Sequence, residues 1–286
     1  MNILTLGNGF AAEHLPYSKI LDRMVVSESF IDKMLDTYKP DTLVNCIGKT
    51  GSPNVDWCEN NKELTTSINT TFPILLAHAC QKRNIHLIHI GSGCIYYGKS
   101  PTIRYYTDIN NKPIQVDHGW KETDFANPAG FYSKSKYATD LSIGDLPNVS
   151  ILRIRMPISS KNHPRNLLNK LKGYSQIIDI PNSMTFMDDF TRCVDWVAKN
   201  NKTGIFNVVN PQPLTAAEIM REYKKYVPNH EFKIIGEKEL DNLTIAKRSN
   251  CILDGMKLSN AGFSMRLSRD SLRECMKEYC NIHVMS

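Results

Sequence analysis

The segment Tyr132-Ser133-Lys134-Ser135-Lys136 places a phenol and an ammonium four residues apart. On a helix that spacing puts Tyr132 and Lys136 on one face, one turn apart. A nearby ammonium stabilises phenolate and lowers its pKa from about 10. The phenol can then deliver a proton to a carbonyl oxygen as hydride arrives at its carbon. Lys136 could also hold a nicotinamide ribose. Alone, the pair reads equally well as a tyrosine packed beside a solvated lysine. A second segment, Ile90-Gly91-Ser92-Gly93-Cys94-Ile95-Tyr96, closes the fourth predicted strand. Carboxyl ends of parallel strands are where such sheets bind ligands. Ser92 there can donate to the carbonyl oxygen that Tyr132 serves.

Gly7-Asn8-Gly9-Phe10-Ala11-Ala12 follows the first predicted strand and opens a helix. Gly7 permits a tight turn, Gly9 lets backbone N–H groups approach a pyrophosphate, and Ala12 allows close helix–strand packing. The helix N-terminus, beginning at Phe10, would face the phosphates with its dipole. A plain turn with two glycines is the bland alternative. The next strand is expected near Met24–Val26, with Arg23 before it and Ser27 after it. No acidic residue sits at that tip to hold a ribose 2′-hydroxyl, since Glu28 lies beyond it. Ser27 and Arg23 would tolerate a 2′-phosphate better, which favours NADPH over NADH.

The elements that must carry these groups alternate short apolar runs with helix-period stretches, the mark of βαβ units. Strands are expected at 2–6, 42–47, 86–90, 150–155 and 205–209. Helices are expected over 62–82, from Tyr132 onward, and over 165–172. The fold class is α/β: a Rossmann-type, doubly wound parallel sheet with a smaller, interleaved C-terminal substrate-binding subdomain. Residues 1–155, with 186–211 returning to them, would form the dinucleotide-binding part, and 156–286 mainly the substrate part. A chain of 286 residues is long enough for both. Its net charge of +6 is scattered, unlike the clustered basic surface of a nucleic-acid binder. No apolar run reaches the ~20 residues of a membrane span. With no signal peptide visible, a cytoplasmic location is expected. The eight cysteines show no Cys-x-x-Cys and no zinc spacing, so no metal is expected and most thiols read as buried and reduced.

Ordered together, these segments resemble the extended short-chain dehydrogenase/reductases that act on nucleotide sugars. More narrowly, the chain resembles the bifunctional nucleotide-rhamnose synthases, which are 3,5-epimerase/4-reductases similar to dTDP-4-dehydrorhamnose reductase. The matching segments are 51–59 (Gly-Ser-Pro-Asn-Val-Asp-Trp-Cys-Glu), Gly93-Cys94-Ile95, 132–136, 155–160, 164–166, 180–185 and Arg248-Ser249-Asn250. There are two departures. The Gly7-Asn8-Gly9 turn is one residue shorter than the family's, and the strand-end hydroxyl, often Thr, is Ser92.

The resemblance implies NADPH, and a UDP-4-keto-6-deoxyglucose substrate (or its dTDP form) giving the L-rhamnose nucleotide. C3 and C5 both flank the C4 ketone, so losing either proton puts charge on O4, where Ser92 and Tyr132 would form an oxyanion hole. By resemblance Cys94 and Lys170 are the acid and base of inversion. If residues 92–94 are extended, both side chains point one way. A thiol of pKa about 8.5 is usable near neutrality if a cation is close. A buried strand-end thiol and a solvated helix lysine are the bland alternatives, and His163 is a reserve acid/base candidate. Asn166 and Arg248 are candidates to hold the diphosphate, Arg248 through bidentate bonds. Asn54, Asp56 and Trp57 are expected to contact substrate or cofactor, with a helix cap as the alternative for Asp56. The upstream 4,6-dehydratase would sit on a separate chain, and a homodimer is compatible with the sequence. The rival readings are a reductase without epimerase activity and a non-catalytic NADP-binding regulatory subunit.

Overall fold

In the computed structural model, residues 1–20, 26–52, 54–101, 103–107, 113–117 and 119–283 are described, with 103–107 and 113–117 as backbone only. The central sheet has six strands, all parallel. They are β1 (Ile3–Leu6), β2 (Ser18–Ile20), β3 (Thr42–Asn45), β4 (His86–Ser92), β7 (Val149–Ile154) and β11 (Gly204–Asn207). Their order is β11-β7-β4-β3-β1-β2, so the chain leaves β1 to one side for β2 and returns to the other for β3. Ligands bind such sheets at this reversal, outside the carboxyl ends of the strands. The hairpin β5 (Ile103–Thr107) and β6 (Pro113–Asp117) lies outside the sheet.

Helices cover both faces, which explains why β3 and nearly all of β4 and β7 are buried runs without alternation. On one face, α2 (Glu28–Tyr38), α5 (Phe72–Gln81) and α6 (Phe131–Ile143) bring Ile31, Leu35, Leu76, Cys80 and Ile143 onto Leu6, Leu43, Leu87 and Ile151. On the other, α8 (Met187–Lys199) presents Phe190, Cys193, Val194 and Val197 at helical spacing to Val44, Ile88, Leu152 and Phe206. Each such burial is worth about 1.5–3 kcal/mol. The expected helix over 62–82 is continuous: α4 (Lys62–Thr66), a π-helical turn at Ser67–Thr71, then α5.

The first crossover departs from expectation. Its helix α1 is one turn (Phe10–Glu13), and β2 starts at Ser18 rather than near Met24. Pro16 cannot extend that helix, so the chain turns back early, and Gly7 N–H donates to Ile20 O at 3.2 Å. Arg23, Met24 and Val25 lie outside the described residues. Ser27, expected near a 2′-phosphate, caps α2 instead, its Oγ accepting from Phe30 N–H at 3.3 Å.

After β7 the chain leaves the sheet through β8 (Pro157–Ile158), α7 (Leu167–Leu171), β9 (Gln176–Ile178) and β10 (Asn182–Phe186). It returns through α8 and β11, then leaves again through β12 (Asn210–Leu214), α9 (Ala216–Lys224), β13 (Lys233–Ile235), α10 (Glu237–Asn242), α11 (Met256–Asn260) and α12 (Ser268–His283). Leu168, Leu171, Met184, Phe186, Ile219 and Met276 make a separate core there. Between the two cores sits Asp189. Its carboxylate, fully buried, accepts from Asn210 (2.6 Å), Ser271 (2.8 Å) and Arg266 (2.8 Å), and also pairs with Arg192.

Candidate active site

Three clamps fix α6, which carries Tyr132 and Lys136. Gly130 at its start offers no side-chain cap, and Phe131 N–H donates instead to Glu59 Oε1 at 2.7 Å. That carboxylate comes from α3 (Trp57–Asn60) and suits the positive end of the helix. The π-turn turns Asn69 inward, where its amide binds Lys49 N (2.7 Å), Lys49 O (2.9 Å) and Ser135 Oγ (3.1 Å). Thr70 Oγ1 adds a bond to Ser135 O at 2.9 Å. One extra residue in a helical turn thus ties the loop after β3 to the Tyr–Lys helix, the kind of place where π-turns occur.

Tyr132 and Ser92 are brought together, the Ser92 side chain close enough to act on the phenol. Residues 93–95 are not extended as expected. Ser92 Oγ accepts from Cys94 N–H at 3.2 Å and turns Gly93–Ile95 into a 3₁₀ turn. The turn brings the Cys94 thiol against the buried guanidinium of Arg155, with Nη1 donating to Sγ at 3.1 Å. Arg155 is itself anchored by Asn182 Oδ1 and the carbonyls of Ser249 and Cys251. It is the cation that the acid/base role expected of Cys94 would need. The sequence reading gave Arg155 no role, although it stands in a segment that carried the resemblance.

The expected effect of Lys136 on Tyr132 is not found. Burial first, then Cys94, push the phenol upward, and the Ser92 side chain only partly opposes them. Lys136, 3% exposed, turns to the sheet: its Nζ lies 3.0 Å from His89 Nε2 and donates to Ile90 O at 2.9 Å. Burial brings its pKa down to about 8, against the pull of Asp140 and Cys46. Tyr132 is therefore a neutral phenol at pH 7, the form that donates.

Lys170 in α7 is half-buried. Burial lowers it, as do Arg165 and Arg248, while Cys94 raises it, so the four groups share one electrostatic neighbourhood. Arg248 has its fork filled: Nη1 and Nη2 reach Asp56 Oδ1 and Oδ2 at 2.7 and 2.9 Å. This corrects two expectations, since the bidentate partner of Arg248 is a carboxylate of this chain and Asp56 makes no side-chain cap. Arg248 holds the Asp56 carboxyl below its usual range. The neighbouring cation, Arg165, donates to Gly51 O.

Asn166 is also corrected. Its amide is used inside the loop, accepting from Ser159 N and Leu168 N and donating to Ser159 O and Lys161 O, so it caps α7. Asn54 Oδ1 accepts from Asp56 N at 2.8 Å, and Lys49 Nζ lies 4.9 Å over the Trp57 ring. His163 stacks on Phe10 at 4.8 Å, and its Nδ1 accepts from Arg165 N.

At the glycine loop, Gly7 has φ +105°, a conformation open to glycine, and an added Cβ would touch Ile47 at 3.0 Å. A Cβ on Gly9 would meet nothing within 4 Å, so its backbone borders open space wide enough for a phosphate group to approach. Ala12 is fully buried, as close packing requires. Phe10, expected beside the cofactor, is buried between His14 and His163.

Residues 22–281 match the family described as the RmlD substrate binding domain. The chain is 34% identical over 270 residues, 93% of its length and 86% of the relative's, to the bifunctional dTDP-4-dehydrorhamnose 3,5-epimerase/dTDP-4-dehydrorhamnose reductase of Arabidopsis thaliana. Its fold is similar to the crystal structure of the UDP-rhamnose synthase from Acanthamoeba polyphaga mimivirus, with a TM-score of 0.84, 28% identity, and 96% and 98% of the two chains covered. It is also similar in fold to the dTDP-4-dehydrorhamnose reductase of Bacillus anthracis solved in complex with NADP, with a TM-score of 0.79, 18% identity, and 96% and 98% covered. With a sheet that reverses beside the glycine loop and a Ser–Tyr–Lys set at its carboxyl edge, the chain belongs to the RmlD substrate binding domain family.

Proposed function

We propose that this chain is an NADPH-dependent 3,5-epimerase/4-reductase that converts UDP-4-keto-6-deoxy-D-glucose to UDP-L-rhamnose. The observation that carries the reading is the Cys94 thiol held by Arg155 one turn from the Ser92–Tyr132 hydroxyl pair. A reductase alone has no use for a cation-backed thiol there. The bifunctional 3,5-epimerase/reductase of Arabidopsis supports both activities, and the UDP-rhamnose synthase of the mimivirus supports the product.

The hydroxyls of Ser92 and Tyr132 hold O4 of the sugar. Loss of a proton from C3 or C5 leaves an enolate whose charge rests on that oxygen, and two fixed donors lower its energy. Cys94, with the Arg155 guanidinium against its sulfur, and Lys170 take and return the proton on opposite ring faces. Which of the two is base at each carbon is set by the ring face it meets. After both inversions, Tyr132 protonates O4 as C4 is reduced. Gly7, Gly9 and Lys136 would hold NADPH, which supplies the hydride. Arg165, with Arg248 and its partner Asp56 beside it, faces the diphosphate side, and Asn54 and Trp57 border the sugar. Residues 1–155 and 186–211 carry the cofactor part, and the rest mainly the substrate part. A 4,6-dehydratase activity supplies the keto sugar.

Incubation with the UDP-4-keto sugar in D2O without NADPH tests the reading. Deuterium at both C3 and C5 is expected. No incorporation, with reduction of the already inverted sugar intact, would leave a reductase alone.

A further inference from the structure

The helix that opens behind the glycine turn is one turn long, and a histidine completes it. His14 N–H goes to Ala11 O at 3.3 Å, and the His14 ring takes the Phe10 carbonyl, Nδ1 to O at 2.8 Å. A carbonyl only accepts, so Nδ1 carries a proton. Burial lowers His14 from its ordinary 6.5, and in the neutral ring Nε2 then offers a lone pair. The Ser159 hydroxyl donates to it, Oγ to Nε2 at 2.7 Å, while the same Oγ accepts from Lys161 N–H at 3.0 Å. Donor meets acceptor at each step of this line. Ser159 is buried, and its own N–H and carbonyl are both held by the Asn166 amide, at 3.2 and 2.6 Å. Asn166 caps α7 through Leu168 N–H at 3.2 Å, and Lys170 N–H closes the first turn on Asn166 O at 3.2 Å. The glycine turn and the helix carrying Lys170 are thus joined by one run of hydrogen bonds. Parallel contacts brace it: Lys161 Nζ donates to Glu13 O at 3.0 Å, and Thr191 of α8 donates to His14 O at 3.0 Å.

We propose that His14 is a positioning residue that clasps the glycine turn to the 159–166 loop, so that a dinucleotide seated at Gly9 sets the loop leading to Lys170 and thereby favours binding of the nucleotide sugar. The proposal deepens the functional reading above and rests on its placing of NADPH at Gly7 and Gly9. The physical reason is shared order. A phosphate that fixes Gly9 and Phe10 fixes the Phe10 carbonyl, and with it His14 and Ser159. The loop beyond Ser159 then has less freedom left for the sugar to remove, which is positive coupling without a change of shape. Such coupling is reciprocal, so the sugar must tighten dinucleotide binding by the same factor. His14 and Ser159 lie 145 positions apart, in the parts assigned to cofactor and to substrate, so the bond between them joins the two.

Hydrogen exchange of the full chain, read by mass spectrometry with and without saturating NADP+, tests the clasp. In the wild type NADP+ should slow exchange in 7–14 and also in 159–168, the latter by about tenfold. Ser159→Ala and His14→Phe cut the link from either side, the second keeping a ring against Phe10. In both, slowing at 7–14 should persist and slowing at 159–168 should vanish, and one folded variant is enough to decide. Slowing at 159–168 that survives in the variants would mark His14 as a mere strut, and slowing absent there from the wild type would break the link. Either result overturns the proposal. No slowing at 7–14 would strike the placing of the cofactor, and the proposal with it. Titration calorimetry with UDP gives the second readout. Its Kd should fall about tenfold when NADP+ is present, and should not respond to NADP+ in the variants. A wild-type Kd indifferent to NADP+ overturns the coupling. UDP that fails to bind at all counts against the proposed substrate alone, and the exchange experiment then decides the clasp.

Discussion

Burial holds Tyr132 as a phenol, and the Ser92 side chain lies beside it. Tyr132→Phe removes the proton and little volume. Reduction of the inverted keto sugar, followed by consumption of NADPH, should slow by on the order of 10²–10⁴-fold. Full turnover would mean another group protonates O4. Cys94→Ser separates the two activities. Deuterium incorporation at C3 and C5 should fall by about 10²-fold or more, while reduction of the already inverted sugar persists. Equal loss of both would make Cys94 a packing residue. At this scale the sequence displayed the reactive types, because a Tyr-x-x-x-Lys helix face and a strand-end Ser are local patterns. It concealed Arg155, which lies 61 positions from the thiol it touches. It also misdirected Arg248 and Asn166, whose partners are set by folding and not by their own chemistry.

Elements set the precision of the site. The loop after β3 turns at Gly51, where φ is +73° and an added Cβ would sit 2.4 Å from Trp57 Cβ and 2.8 Å from Asn54 O. Gly51→Ala should cost about 1–3 kcal/mol in a urea titration and raise KM for the sugar, because Asp56 and Trp57 move with the loop. An unchanged midpoint would show that the loop yields without strain. Strand and helix positions were legible because buried parallel strands and amphipathic helices leave strong periodic signals. The one-turn α1 and the π-turn at 67–71 were not. Both depend on which carbonyl a given N–H finds, and side-chain periodicity does not record that choice.

Across the whole molecule, Asp189 joins α8 of the sheet layer to β12 and α12 of the other core. Asp189→Ala takes the acceptor from two buried donors, Asn210 and Ser271, and from Arg266 Nε, which keeps Glu274, and should cost about 1–3 kcal/mol. A loss of under 1 kcal/mol in the denaturation midpoint would show that the two layers hold without it. Acid sensitivity follows from the histidines in the sheet. His86, bonded to Ser150 Oγ at 2.7 Å, is lowered by burial from 6.5. Below pH 6.5 the unfolded chain binds the proton that folded His86 refuses, so its contribution is full above that pH and fades below it. The stability gap between wild type and His86→Gln should therefore narrow from pH 7.5 to 5.5, by urea titration at each pH. A constant gap would mean that folded His86 takes up its proton as readily as the unfolded chain does.

The sequence by itself determined the alternation of strands and helices, the glycine turn, and the two segments that bear hydroxyls, because each depends on neighbours within a turn or a strand. It also carried the family, through segments spread from residue 51 to residue 250. Only the tertiary structure decided which cation meets Cys94, that Asp56 fills the fork of Arg248, and that Lys136 turns toward His89. Those outcomes depend on desolvation and on which polar partners come within bonding distance, and both arise only when distant strands and helices close on one another.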